Sequence, residues 1–297
     1  MTGDSALATP EFEQLLADMR PTLHRYCARM TGSVMDGEDV VQEALLKAFA
    51  ARGSANVIAN PRAWLVRIAH NAAVDFVRRR DRERLLESDG ELDMIAAPES
   101  LEPDAEVVSA SLRSFMRLPT LQRAAVILKD VLGHSLEEVA SITGATAAAA
   151  KSALQRGRER LRTIAREPET IEGTALSDAA HARLAAYVDG FKTGDFDAVR
   201  AMLAEDVELD LVARLHRRGK SEVGVYFARY AATEQWAYAA GVVEGRPAML
   251  VYDREVSLDT PAYFVALGFE SDRVTRMRDF LFARYAMEGL ELRRVDA

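Results

Sequence analysis

Residues 135–161 read SLEEVASITGATAAAAKSALQRGRERL, and their capping and turn residues indicate how the surrounding segment folds. Ser135, with a glutamate three positions later, is a capping-box signature that predicts a helix start. Gly144 ends that helix after about two turns, and Thr146 caps a longer helix running to about Arg166. A short helix, a turn with glycine and a longer basic helix together predict a helix-turn-helix.

The longer helix has the charge of a DNA-reading helix, since Glu159 is the one acid among its bases Lys151, Arg156, Arg158, Arg160 and Arg162. The first turns of a recognition helix enter the major groove, where side chains meet base edges. Those positions hold Thr146, Lys151, Ser152 and Gln155. Arginines nearer the end would meet phosphates. A solvated charged helix face is the alternative interpretation.

Four helices are predicted before residue 84 from apolar residues at helical spacing. The first runs from Phe12 to Met19, and Pro21 is expected to restart the pattern as a second helix. The third begins at about Asp36 and carries Phe49 on its apolar face. The fourth begins at Asn60, an N-cap, and ends in Arg78-Arg79-Arg80.

Charge is distributed unevenly along the 297 residues, whose formal net charge is −8. Taken alone, that value argues against a nucleic-acid partner, because phosphate repels negative charge. Residues 85–111 carry eight acids and no base, however, whereas residues 112–166 carry ten bases and four acids. The acidity therefore describes a linker, and the predicted helix-turn-helix keeps a positive surface.

Composition and charge divide the chain into five predicted segments. A helical domain of residues 1–84 is followed by an acidic flexible linker, 85–111, and by the helix-turn-helix domain, 112–166. A second linker, 167–175, leads to an α+β domain at 176–297, where helices precede the strands Val207–Leu211, Trp236–Val243, Ala248–Tyr252, Ala262–Phe269 and Val274–Phe280.

Several classes of protein are excluded by simple features of the sequence. A single cysteine, Cys27, rules out an internal disulfide and a thiolate metal cluster. No apolar run is long enough for a membrane span, and the first residues lack the pattern of a signal peptide. The histidines lack metal-ligand spacing, and no cofactor-binding motif is present. We therefore expect a cytoplasmic protein without a metal, a cofactor or a membrane partner.

Two motif blocks resemble extracytoplasmic-function (ECF) sigma factors of the sigma-70 family. Residues 36–44, DGEDVVQEA, and 60–80, NPRAWLVRIAHNAAVDFVRRR, resemble their promoter-melting domain. Residues 118–128, LPTLQRAAVIL, with the helix-turn-helix, resemble their upstream-element-reading domain. The resemblance covers roughly residues 11–166, and it implies a factor that binds core RNA polymerase, recognises promoter DNA and initiates transcription.

The resemblance also implies roles for individual residues. Those expected to dock core polymerase are Asp39, Val40, Gln42 and Glu43. Those expected to contact the downstream promoter element are Trp64, Arg67, Asn71, Asp75, Arg78, Arg79 and Arg80. Those expected to read the upstream element are Thr146, Lys151, Ser152, Gln155 and Arg156. The loop from Arg52 to Ala59 would hold a flipped base. Ala147 to Ala150 stand where relatives often have larger or polar side chains, which weakens direct base readout.

The last segment resembles SnoaL-like domains of the nuclear-transport-factor fold, a curved sheet over helices that encloses a cone-shaped cavity. The motif YVDGFKTGDFD at 187–197 and the strand meander carry this resemblance. It implies a domain that modulates the sigma factor, with a small-molecule ligand as a candidate partner. Many relatives have Asp-Gly-Gly-Gly after the first strand, whereas this chain has Asp210-Leu-Val-Ala.

Two other functions stay open at this point. A helix-turn-helix regulator would use the basic helix without joining polymerase. A cyclase or isomerase fused to a DNA-binding module would use Glu208, Asp210 and His216 for acid–base chemistry in a cavity. Solvent-facing strand positions are the simpler interpretation of those three residues, so no catalytic residue is assigned and the protein is not expected to be an enzyme.

Overall fold

The computed structural model describes residues 9–52, 60–84, 110–167 and 176–295, which belong to two compact units, Met1–Glu169 and Thr170–Ala297. Most of the predicted linkers 85–111 and 167–175 lies outside the described residues, as does all but Arg52 of the predicted base-holding loop. None of the described helices is long and apolar enough to cross a membrane.

The first unit begins with one long helix, α1 (Thr9–Thr31), which continues through Pro21. The expectation that Pro21 starts a separate helix is wrong. A proline inside a helix removes one backbone hydrogen bond and costs about 3 kcal/mol. Burial of apolar side chains on both sides of the proline offsets that loss, since Phe12, Met19 and Leu23 are all buried in the same core.

Helices α2 (Val34–Ala51) and α3 (Pro61–Arg84) begin at side-chain caps. Ser33 accepts a hydrogen bond from the backbone N–H of Asp36 at 3.1 Å. Asn60 does the same for the N–H of Ala63 at 3.0 Å, which confirms it as the N-cap. Helices α1, α2 and α3 pack against one another in pairs.

The predicted helix-turn-helix is confirmed, and two further helices of the segment 112–166 lie directly before it. These are α4 (Leu112–Met116) and α5 (Thr120–Val126), the latter continued by a π-helical segment, Ile127–Val131. Helix α6 (Leu136–Thr143) has the complete capping box, and Gly144 ends it in the left-handed conformation at φ 69°. Helix α7 (Ala147–Ala165) follows.

The two helical segments of the first unit share one hydrophobic core. Buried residues of α1 to α3 and of α4 to α7 form one continuous cluster, with α3 packed against α6 and α1 against α4. Gly32, at φ 76°, ends α1, and the side chain of Met116 lies so close that a Cβ at this position would overlap it. The segments on either side of the acidic stretch are therefore in direct contact.

The second unit has the predicted α+β architecture. Helices α8 (Asp178–Thr193) and α9 (Phe196–Ala201) precede β1 (Leu203–Leu211) and β2 (Leu215–Arg218). Helices α10 (Lys220–Gly224) and α11 (Ala228–Ala231) flank a 3₁₀ turn, Val225–Phe227. The remaining strands are β3 (Trp236–Val243), β4 (Arg246–Asp253), β5 (Tyr263–Glu270), β6 (Arg273–Asp279) and β7 (Leu292–Arg294).

These seven strands form one sheet in the order β2-β1-β6-β5-β4-β3-β7. Strands β3 to β6 are the predicted meander, with antiparallel pairing throughout. Strand β1 joins it by parallel pairing with β6. Helix α8 packs on β3 and β4 through the buried rings of Tyr187 and Phe191. The sheet with helices on it agrees with the SnoaL-like fold expected from the sequence.

Candidate nucleic-acid interface

Helix α7 has one buried face and one open face. Six of its residues that point into the core are Ala150, Ala153, Leu154, Gly157, Arg158 and Leu161. Ser152 is exposed and Lys151, Gln155 and Arg156 are half-buried, so these predicted base-reading residues lie on the surface of its first turns. Arg160 and Arg162 are exposed further along. The helix can therefore present both polar readers and phosphate-binding arginines to DNA.

Thr146 has a structural role in addition to its predicted one. Its hydroxyl accepts a hydrogen bond from the backbone N–H of Ala149 at 3.1 Å and thereby caps α7. The hydroxyl proton stays available, so the side chain can still donate to a base edge.

Arg158 belongs to the core and not to the phosphate-binding surface. Its guanidinium donates from Nε to Oδ2 of Asp130 at 2.9 Å, with a second ion pair between Nη2 and Oδ1. Both side chains are buried. The bidentate pair fixes α7 against the π-helical segment that carries Asp130. The expectation that this arginine is one of the exposed bases is therefore wrong.

Helix α3 brings most of the predicted downstream-element residues onto one face. Arg67, Asn71, Asp75 and Arg78 are all exposed, and their spacing of three or four residues places them in one stripe. Arg79 is exposed beside the stripe. This face offers two cations, an amide and a carboxylate along about three turns of the helix.

Trp64 and Arg80 are placed differently from those residues. Trp64 is half-buried, and its ring lies 6.4 Å from that of Phe12, centre to centre. Arg80 turns inward and donates from Nη1 to the carbonyl of Thr31 at 2.7 Å. Its guanidinium also lies 3.7 Å from Asp36. Arg80 thus holds the end of α1, and the exposed cations of the predicted cluster are Arg67, Arg78 and Arg79.

Helix α2 carries the predicted polymerase-docking residues. Asp39 and Gln42 are exposed and Glu43 is half-buried, so these three lie on an accessible face. Glu43 pairs with Lys47 at 2.7 Å and with Arg79 at 3.5 Å, and these cations lower the pKa of its carboxyl. The carboxylate stays charged and links α2 to α3.

Val40 is buried at 1% exposure and packs in the core of the first unit. The side chain of Val40 therefore lies inside the helical core, and its direct contact with polymerase stays a prediction. Its position follows from the helical period, which places Val40, Val41 and Ala44 on the face opposite Asp39 and Gln42.

Two exposed apolar residues extend the accessible face of α2 that carries Asp39, Gln42 and Glu43, which we call the open face. Leu46 is 66% exposed and Phe49 is 43% exposed, with the guanidinium of Arg52 at 4.3 Å from the Phe49 ring centre. The sequence pattern placed Phe49 on the buried face and did not single out Leu46. The spacing of Leu46, seven residues after Asp39 and four after Gln42, is the signal that identifies it as part of the open face.

In the second unit, the residues of the enzyme alternative are tied into ion pairs on the sheet. Asp210 on β1 accepts from Arg278 on β6 at 3.0 Å. Glu208 accepts from Arg276 at 3.3 Å, and His216 is exposed on β2 opposite Asp210. Both carboxylates are thus bound to cross-strand arginines, unlike the general base in an apolar cavity that the enzyme alternative requires.

A buried polar network lies elsewhere in this unit. Asp279 is fully buried and accepts hydrogen bonds from the hydroxyls of Tyr226 at 2.5 Å and Tyr230 at 2.9 Å, while Tyr230 and Tyr263 are 3.1 Å apart. Burial raises the pKa of the Asp279 carboxyl. Sequence reasoning missed these residues because they come from four separate elements. Such a convergence of tyrosines on one acid can orient the polar group of a ligand.

Among the residues that the structure describes, no group of three or more His, Cys, Asp or Glu side chains is placed to hold a metal ion.

Two family models match this chain, each in one helical segment. The model for sigma-70 region 2 matches residues 15–83, which span α1 to α3. The model for sigma-70 region 4 matches residues 112–161, which include the helix-turn-helix. The two matches therefore cover the predicted polymerase-binding, promoter-melting and DNA-reading elements.

Individual relatives extend the comparison beyond those segments. The ECF RNA polymerase sigma factor SigG of Mycobacterium tuberculosis is 29% identical over 94% of this chain and 81% of its own length. A match of that extent includes most of the second unit. The solved structure of SigJ from Mycobacterium tuberculosis is 22% identical over 90% of this chain and 95% of its own, with a TM-score of 0.35.

The RNA polymerase sigma factor CarQ of Myxococcus xanthus is 32% identical, with 54% of this chain aligned to 93% of CarQ. Identity at that level over nearly a whole relative, joined to both sigma-70 region models in the expected order, defines the family. The chain belongs to the ECF RNA polymerase sigma factors.

Proposed function

We propose that this sigma factor docks core RNA polymerase through the open face of α2. The observation that carries the proposal is the exposure of Leu46 and Phe49 beside Asp39 and Gln42. Large apolar side chains that stay exposed next to polar ones are typical of a protein–protein interface. Buried Val40 supports the same face from behind, as part of the packing that fixes α2.

DNA recognition in this proposal is divided between α3 and α7. The stripe of Arg67, Asn71, Asp75 and Arg78 contacts the downstream promoter element. Ser152, Gln155 and their neighbours on α7 read the upstream element, with Arg160 and Arg162 on phosphates. The reaction that follows, RNA synthesis, belongs to the polymerase, so the sigma factor itself needs no catalytic residue, and it acts where polymerase does, in the cytoplasm.

The α+β unit is proposed to modulate this activity and to bind a small molecule. The network of Asp279, Tyr226, Tyr230 and Tyr263 supports the second part, because a buried acid with convergent hydroxyls is a common way of orienting a ligand. Deletion of residues 170–297 tests the first part. A changed transcript yield, with the helical signal of the first unit retained, supports modulation, and an unchanged yield contradicts it.

The docking face is tested by affinity for core RNA polymerase. Leu46→Asp places a charge in the centre of the open face and is expected to weaken binding at least about tenfold, which corresponds to 1.4 kcal/mol. Leu258→Asp is the matched control, because Leu258 is 54% exposed in the second unit. Equal affinity of both variants would contradict the proposal.

Binding to core polymerase and an activity assay together separate the alternatives. A helix-turn-helix regulator that never joins polymerase would not be retained by the core enzyme at all. An enzyme fused to a DNA-binding module would lose turnover of its substrate in Asp210→Asn. Run-off transcription with core polymerase on a promoter library would then identify the elements that α3 and α7 recognise.

A further inference from the structure

Three separate segments of the second unit bring two arginines onto one phenylalanine ring. The guanidinium carbon of Arg214, in the turn between β1 and β2, lies 4.5 Å from the centre of the Phe282 ring. That of Arg229, in α11, lies 5.2 Å from the same centre. Both arginines are exposed and the phenylalanine is 36% exposed, so the group is open to solvent.

The two positive charges of this group are only partly balanced by acids. Within the part of the chain that the structure describes, neither Arg214 nor Arg229 forms an ion pair, whereas Arg276 and Arg278 on the sheet are each paired with an acid. Asp279 lies three residues before Phe282 and interacts electrostatically with Arg229, although its oxygens accept hydrogen bonds from Tyr226, Tyr230 and the backbone N–H of Leu281. Two neighbouring cations repel each other, and a bound anion reduces that repulsion.

The backbone that presents Arg214 is held in an unusual conformation. Ala213 has φ 64°, in the left-handed region, and the turn is closed by the N–H of Arg214 on the carbonyl of Leu211 at 2.9 Å. Alanine in this region costs roughly 1–2 kcal/mol relative to a residue in an ordinary helix. Backbone strain of this kind is concentrated at binding sites, where it fixes the direction of a side chain.

The surroundings favour a small organic anion over nucleic acid. Residues 170–297 contain 16 Lys and Arg against 21 Asp and Glu, so this unit as a whole repels a polyphosphate chain. A single oxyanion group meets little of that repulsion. The ring of Phe282 and the side chain of Val225, which is 73% exposed one helical turn before Arg229, add apolar contact area.

We propose that Arg214, Arg229 and Phe282 bind the carboxylate or phosphate group of a small organic molecule with an apolar body. Guanidinium groups suit both anions, since they match planar carboxylates and phosphate oxygens with paired donors. The exposed site adjoins the buried network around Asp279, with which Arg229 interacts electrostatically. It stands whether or not the proposed docking of α2 on polymerase is correct, because its test measures binding alone.

The test is a calorimetric titration of the full-length protein with benzoate, phenyl phosphate and inorganic phosphate at constant ionic strength. Saturable binding of benzoate or phenyl phosphate is expected, and the ligand that binds more tightly shows whether the site prefers a carboxylate or a phosphate. Arg214→Gln and Arg229→Gln should each weaken that binding about tenfold, as expected for loss of a charge-assisted hydrogen bond. Phe282→Leu, which keeps both charges, should weaken it as well.

Arg284→Gln is the matched control, since Arg284 is an exposed arginine stacked alone on Trp236 at 5.7 Å and is expected to leave the affinity unchanged. The proposal is overturned if neither organic anion binds, if inorganic phosphate binds as tightly as phenyl phosphate, or if Arg284→Gln loses as much affinity. It is also overturned if the Arg214 and Arg229 variants lose affinity for promoter DNA instead.

Discussion

Arg123 donates a hydrogen bond from Nη1 to the backbone carbonyl of Met30 at 2.6 Å, which joins the region-4 segment to the end of the first helix of region 2. The same guanidinium donates from Nη2 to the carbonyls of Leu118 at 2.9 Å and Met116 at 3.2 Å. Burial, with the charge of Arg80, lowers the pKa of Arg123 to about 10. The side chain therefore stays protonated at neutral pH and holds three carbonyls in the shared core.

Arg123→Ala should lower the free energy of unfolding of the first unit by about 3 kcal/mol, because it leaves these buried carbonyls without a donor. Urea unfolding followed by circular dichroism measures the change. Arg160→Ala is the control, since Arg160 is exposed on α7, and its effect should stay within about 0.5 kcal/mol. Equal stability of the two variants would show that the Arg123 contacts do not hold the two segments together.

The basic residues of α7 should separate into two classes when their variants bind promoter DNA. Arg160→Ala removes one exposed cation, so the magnitude of the slope of log affinity against log salt concentration should decrease by about 1. This change corresponds to the loss of one phosphate contact. Arg158→Ala removes the buried partner of Asp130 and should destabilise the helix-turn-helix by about 3–5 kcal/mol, because an uncompensated buried carboxylate remains.

Filter binding across a salt series, with circular dichroism on each variant, distinguishes these outcomes. If folded Arg158→Ala changed the salt slope in the same way as Arg160→Ala, the assignment of Arg158 to the core would be wrong.

Local signals in the sequence were enough to predict the helix-turn-helix and the strand meander. Gly144 in the left-handed conformation, the capping box at Ser135 and the Asn60 cap act within a few residues, so a single chain reveals them. Strands β3 to β6 are likewise indicated by apolar stretches that are separated by turn residues. Strand β2, whose four residues are all exposed, has no such pattern and was missed.

The site residues were harder to predict, because burial within a known helix depends on what packs against it. In the sequence, Arg158 and Arg80 look the same as the exposed arginines beside them. Distant partners bring them into the core, since Arg158 pairs with Asp130 and Arg80 donates to the carbonyl of Thr31. Phe49 was misplaced for the opposite reason, since an apolar residue near the edge of a helix face is read as core, whereas this one is exposed. The Asp279 network depends on long-range contacts throughout.

Stability of the first unit should fall as the pH decreases from 7 to 5, and His70 should contribute about 2 kcal/mol of that fall. His70 is buried beside the hydroxyl of Tyr26, at 2.6 Å from Nδ1, and burial, with the nearby charges of Arg67 and Arg78, lowers its pKa to about 4. Below pH 6.5 the unfolded chain takes up a proton that the folded protein does not, so folding becomes less favourable until about pH 4.

His70→Gln should flatten the pH dependence of the unfolding free energy, even though it lowers stability at pH 7. His216→Gln is the control, because His216 is exposed in the second unit. Urea unfolding at pH 5, 6 and 7 provides the comparison. An unchanged difference between pH 7 and pH 5 in His70→Gln would show that another group causes the dependence.

Ala213→Gly should stabilise the second unit by about 1 kcal/mol, because glycine adopts φ 64° without the steric conflict of a Cβ. The variant places at position 213 the residue that this backbone conformation favours. Hydrogen exchange of β1 and β2 amides should slow in Ala213→Gly and accelerate in Ala213→Val, since a β-branched side chain makes the conflict worse. Faster exchange in the glycine variant would mean that its added flexibility outweighs the relief of strain at the turn that presents Arg214.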